Sequence, residues 1–143
     1  MKKLLTVFLF CLLTFGMTST VSAADWKWIV ASDKVSYYFD TQSFVATSSV
    51  TYSVLIKQEF TEATGKILAD KFGVNKTIAY GLLKREYDFR YDKKIRRLAI
   101  AVYDKDGTVL SSSDKPSEWT EIFPDSIGET VFNATYSYYL QNY

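Results

Sequence analysis

Apolar and polar residues alternate most regularly over residues 50–60. Val50, Tyr52, Val54, Ile56 and Phe60 fall on one side, and Ser53, Lys57 and Glu59 on the other. A period of two predicts a half-buried antiparallel strand. Two shorter strands, Trp26–Ala31 and Val35–Asp40, precede it around the turn-prone Ser32-Asp33-Lys34, and residues 41–49 read as a polar connection. The period changes over residues 61–72, where Ala63, Ile67, Leu68 and Phe72 suit a short helix, weakened by Gly65 and ended by Gly73. Residues 77–83 fit either a strand or an irregular connection.

Alternation returns over residues 84–91, with Tyr87, Phe89 and Tyr91 on one face. A further strand over 95–103 carries Leu98, Ile100 and Val102 on one side and the small Ala99 and Ala101 on the other. Asp104-Lys105-Asp106-Gly107 signals a hairpin leading into a strand at 108–113, because glycine readily supplies the positive φ such loops need. After Pro124-Asp125, Ser126 and Glu129 form an S-x-x-E capping box. Ile127, Val131, Ala134 and Tyr138 then recur at helical spacing. The expected fold is α+β: a single domain with an antiparallel sheet of about five or six strands and a C-terminal helix packed on one face.

The N-terminus has a different pattern. Lys2 and Lys3 precede an apolar run from Leu4 to about Phe15, and Val21-Ser22-Ala23 supplies an A-x-A-like cleavage site. This is the layout of a signal peptide cut between Ala23 and Ala24, leaving 24–143 as one exported domain. The run is shorter than the roughly 20 residues that cross a bilayer, and no later segment is long and apolar enough. Bacterial cell surface or periplasm is the expected location.

Export changes the chemistry on offer. The single cysteine, Cys11, leaves with the leader, and the chain has no histidine. Ser-His-Asp and Cys-His nucleophile systems, His-based zinc sites and thiol redox chemistry go with them. No serine stands in a G-x-S-x-G or S-x-x-K arrangement, and Asp104-x-Asp106-Gly107 is too short for a calcium loop. The reading is therefore non-enzymatic, without cofactor or metal. Losing Lys2 and Lys3 takes the net charge from +1 to about −1, so no global field draws nucleic acid.

Two groups of residues are candidate contacts. Lys93, Lys94, Arg96 and Arg97 flank Ile95 and could engage an anionic glycan or protein. Alternation would split them between the two sheet faces, and a hairpin would bring Glu86, Asp88 and Asp92 near enough to neutralise them. The aromatics pose a similar choice. Trp26 and Trp28 share a face, and Tyr136, Tyr138, Tyr139 and Tyr143 crowd the end of the chain. Most are needed as core, which leaves Tyr139 and Tyr143 as surface contacts. The glycosylation-type triplets at Asn75 and Asn133 carry little weight in a bacterial chain.

Several stretches together resemble the bacterial surface-adhesin protein E family. They are Trp28-Ile29-Val30 with Tyr37-Tyr38-Phe39-Asp40-Thr41-Gln42-Ser43-Phe44, and the strand over 52–57. Tyr87-Asp88-Phe89 with Lys94-Ile95-Arg96-Arg97 follows, then Tyr103-Asp104-Lys105-Asp106-Gly107. The most specific is Trp119-x-x-Ile122-x-Pro124-Asp125-Ser126-Ile127-Gly128-Glu129. The resemblance implies a small exported domain, an antiparallel sheet with a packed helix, and binding of host proteins at the cell surface. Such proteins often carry one cysteine near Tyr87–Tyr91 and another at the end of the last helix, and this chain has neither. Ile127, Val131 and Tyr138 are then expected to hold the helix to the sheet.

Three functional classes follow. The first is a surface adhesin-like domain engaging a host or matrix protein or glycan. The second is a periplasmic accessory protein contacting other envelope components. The third is a carbohydrate-binding module using Trp26, Tyr139 or Tyr143.

Overall fold

A computed structural model describes residues 23–143, so all of the leader expected over residues 1–23 except Ala23 lies outside the described residues. Ala23 and Ala24, the expected cleavage residues, are exposed and belong to no element.

The strands are β1 (Trp26–Ala31), β2 (Val35–Asp40), β3 (Val45–Ala46), β4 (Thr51–Phe60), β5 (Tyr80–Asp88), β6 (Lys94–Tyr103), β7 (Val109–Ser113) and β8 (Thr120–Glu121). The helices are α1 (Glu62–Phe72) and α2 (Ile127–Asn142). The strands make one antiparallel sheet in the order β1-β2-β4-β5-β6-β7, with β3 added to β4 and β8 added to β6. Eight strands exceed the five or six expected. The two extra strands are two residues long, too short for alternation to register, and both complete an edge of a ten-residue strand.

Helix α2 covers one face. Phe39, Phe44, Tyr52, Val54, Ile56 and Tyr87 of the sheet side bury against Val131 and Phe132. Phe44 lies in the segment expected to be a polar connection, yet it stacks near Tyr52 and Tyr138. Helix α1 closes the same face at its other end, where Ala69, Ile78 and Val102 form a second cluster with Phe60, Leu68 and Ile100. Gly65 does not weaken α1. A Cβ there would come within 2.0 Å of the Ile78 carbonyl oxygen, so glycine is what lets the helix approach the chain. Gly73 ends the helix in the left-handed conformation at φ 66°.

The capping box is in place. The Ser126 hydroxyl accepts from the Glu129 amide at 3.1 Å, and the Glu129 carboxylate accepts from the Asp125 amide at 3.3 Å. Ile127 does not dock the helix. It lies in the first turn, 41 % exposed, while the covered stripe runs through Val131, Phe132 and Thr135. Tyr138 packs at the edge of that core against Phe39 and Phe44.

Three further strand readings change. The strand starting at Tyr80 ends at Asp88, whose carboxylate accepts from the Arg90 amide and guanidinium, so Tyr91 is fully exposed rather than inward. Leu98 drops out of the ladder, because Lys84 pairs with Ala99 and Arg85 with Arg97. Ser53, expected outward, is buried on a rung between Val45 and Glu86.

Candidate functional site

The sheet has two unlike faces, and the helices cover only one. Register assigns the other. Trp28 stands opposite Tyr38, Tyr38 opposite Lys57, Lys57 opposite Leu82 and Leu82 opposite Ala101, which makes one rung across five strands of the helix-free face. Trp26 belongs to the same face, since the Lys57 ammonium lies over its ring at 4.8 Å and over that of Tyr38 at 4.7 Å. Glu59 holds the same ammonium at 3.2 Å. Lys57 is thus clamped between two rings and a carboxylate, a rigid polar platform. Trp28 beside it is 59 % exposed.

A second stack lies across the face. Ser53 is opposite Glu86 and Glu86 opposite Arg96, and the Arg96 guanidinium pairs with the Glu86 carboxylate at 3.2 Å. The other side of that guanidinium rests on the Trp119 ring at 4.7 Å. The chain has three tryptophans, and Trp26, Trp28 and Trp119 all belong to the helix-free face. A tryptophan buries more apolar area than most side chains, so placing every copy away from the core leaves that area for contact.

The basic cluster is divided, as period two requires. Arg96 and Lys94 go to the helix-free face, Lys94 between Asp88 and Glu121 in register. Asp88 itself is engaged by Arg90 at 2.6 Å, and that hydrogen bond holds its carboxyl below the usual range. Lys93 and Arg97 go to the covered side, where the Lys93 ammonium lies over the Phe132 ring at 5.3 Å. The four cations do not form one flat surface.

The terminal tyrosines divide too. Tyr139 is half-buried, its ring stacked on Tyr52 at 4.7 Å. Tyr143 is 66 % exposed and stacks on Tyr139 at 5.6 Å. They extend the core aromatic stack to the surface at the end of α2.

A cavity of about 640 Å³ opens beside the β6–β7 hairpin and is lined by Phe60, Glu62, Lys76, Thr77 and Asp104. Asp104 is already committed. Its carboxylate accepts from the Thr108 amide at 2.9 Å and the Asp106 amide at 3.0 Å, and Lys76 stands at 3.6 Å. These bonds, the Thr108 amide first, hold its carboxyl below the usual value. That is turn chemistry. Among the described residues no group of three or more His, Cys, Asp or Glu gathers as a metal site, and no helix is long and apolar enough to cross a membrane.

The signals for the helix-free face were present in the sequence but dispersed. Trp26 and Trp28 were visible as a pair, whereas Trp119 joins them only through the pairing of β8 with β6.

Neither a curated protein nor a solved structure matches the chain. The family comparison does. The surface-adhesin protein E pattern matches residues 26–135, from the first residue of β1 to Thr135 in the middle of α2, and so takes in every strand of the sheet. The chain belongs to the surface-adhesin protein E family.

Proposed function

We propose that the protein is an exported, non-enzymatic binding domain that acts at the bacterial surface. It engages a protein of the host or matrix through the helix-free face of its sheet. Family membership implies a surface adhesin, and the leader-like segment at residues 1–23 agrees with export. The observation that carries the reading is the gathering of Trp26, Trp28 and Trp119 on the face without helices, two of them stacked with cations. Aromatic and arginine side chains of this kind anchor protein interfaces. Lys57 and Arg96, already held by rings and carboxylates, lose little side-chain entropy on contact.

The test has two arms. Intact cells are labelled with antibody and shaved with protease, beside osmotic-shock release of the periplasm. The purified protein is then passed over immobilised matrix proteins. Surface labelling together with saturable capture supports the reading. Quantitative periplasmic release with unlabelled cells would favour the envelope-accessory alternative.

The exposure of Trp28 also favours a second reading, stacking on a sugar ring. Quenching or enhancement of tryptophan fluorescence by neutral oligosaccharides, without matrix-protein capture, would select it.

A further inference from the structure

The helix-covered face holds a group of hydrogen-bond donors with no acceptor. Arg85 and Arg97 are direct cross-strand partners in β5 and β6. Arg85 is opposite the buried Val54 and Arg97 is two residues from Ile95, both on the side that packs under α2. Cβ atoms of such partners are roughly 5 Å apart, and like charges placed so destabilise a sheet. Both side chains are half-buried, and among the described residues neither forms an ion pair.

The pairing depends on the ladder irregularity. Continued from the Lys84–Ala99 pair, the register would place Leu98 across from Arg85; with Leu98 left unpaired, Arg97 stands there instead. Bulges that re-aim a side chain are over-represented beside functional sites.

Two buried donors join the pair. The Nε–H of Arg97 is buried and unpartnered. Tyr87, two residues from Arg85 on the same face, is fully buried. Its hydroxyl has no hydrogen-bond partner, and the guanidinium of neighbouring Arg85 can only donate. Buried donors nearly always have a partner, so this group calls for an acceptor from outside the chain.

We propose that Arg85, Arg97 and Tyr87 form a binding site for a sulfate or phosphate group. Two uncompensated guanidinium charges match a dianion, whereas a carboxylate would neutralise only one. Guanidinium forks bind tetrahedral oxyanions bidentately, and the tyrosine hydroxyl adds a directional donor. The half-exposure of both arginines leaves the site open to solvent. It lies on the face opposite the tryptophans, so it stands or falls independently of the contact face proposed above.

The exported protein, purified from cells expressing the full chain, is followed by nitrogen–proton correlation spectra that include the arginine Nε–H signals. Sodium phosphate, sodium sulfate and sodium acetate are titrated at constant ionic strength. The expected result is a saturable shift of the Arg97 Nε–H signal with phosphate and sulfate, at least tenfold weaker with acetate. Arg85→Gln and Arg97→Gln are each expected to weaken the affinity at least tenfold. Arg97→Lys keeps the charge but loses the fork, and is expected to weaken binding even if a glutamine variant fails to fold. Linear shifts, or saturable binding unchanged in these variants, overturn the site. Acetate binding as tight as phosphate overturns the dianion assignment. An O-sulfated disaccharide separates the sources: tighter binding than free sulfate supports a site for a glycan-borne group, and equal binding supports one for the free ion.

Discussion

The Tyr52 hydroxyl of β4 meets the Thr135 hydroxyl of α2 at 2.8 Å, with both side chains fully buried. Thr135 donates onward to the Phe132 carbonyl at 3.0 Å, so Tyr52 is the donor and Thr135 the acceptor in this pair. Burial pushes the Tyr52 phenol far above its usual pKa. This contact joins helix to sheet in a chain with no cysteine after Cys11.

The asymmetry of the pair gives a prediction. Thr135→Val strands the Tyr52 hydroxyl without an acceptor and should cost about 1–3 kcal/mol, the penalty for an unsatisfied buried group. Tyr52→Phe leaves Thr135 bonded to Phe132 and should cost about 0.5–1.5 kcal/mol. Denaturant unfolding of both variants reads the order, and the reverse order would mean the helix is held otherwise.

Helix docking gives a second. Val131 is fully buried and Ile127 is at the rim. Val131→Ala should cost about 1–3 kcal/mol through lost burial and a residual cavity. Ile127→Ala should stay within about 0.5 kcal/mol of the native protein. Thermal midpoints of the two variants check the difference.

Gly65→Ala gives a third. On propensity alone alanine would strengthen α1 by about 1 kcal/mol. The 2.0 Å approach of the added Cβ to the Ile78 carbonyl reverses the sign, and overpacking of this kind costs about 1–3 kcal/mol. A midpoint that rises on substitution would show that α1 is free to shift.

The Asp104 turn is acid-sensitive. Its folded pKa lies below the ordinary value of 3.8, so the carboxylate contributes stability above that pH. The contribution is lost as pH falls through the lowered folded value. Asp104→Asn should lose stability near neutral pH and should show a shallower further loss below about pH 4 than the native protein. Melting curves across pH 2–7 measure both.

Local chemistry was legible in the sequence. Ser126 with Glu129, Gly73 and Gly107 each fix a cap or turn through nearby backbone, and each is where the spacing put it. The alternation over β4 likewise gives the correct buried residues Tyr52, Val54 and Ile56. What depends on distant register was not legible. Strands β3 and β8 exist because β4 and β6 offer an open edge, and nothing in two residues announces that. Trp119 joins the tryptophan face, and Arg97 meets Arg85, only once β6 has been paired on both sides. The division of the basic run between the two faces, by contrast, follows from period two and was legible.

The central claim is that the helix-free face makes the contact, and Trp28 is its most exposed tryptophan. The decisive measurement is the affinity of the purified exported protein for whichever matrix protein captures it, compared among the native chain, Trp28→Ala and Tyr143→Ala. Loss of at least tenfold in Trp28→Ala, with Tyr143→Ala near native, is the predicted result. Full affinity in Trp28→Ala together with loss in Tyr143→Ala would place the contact at the end of α2 and contradict the account.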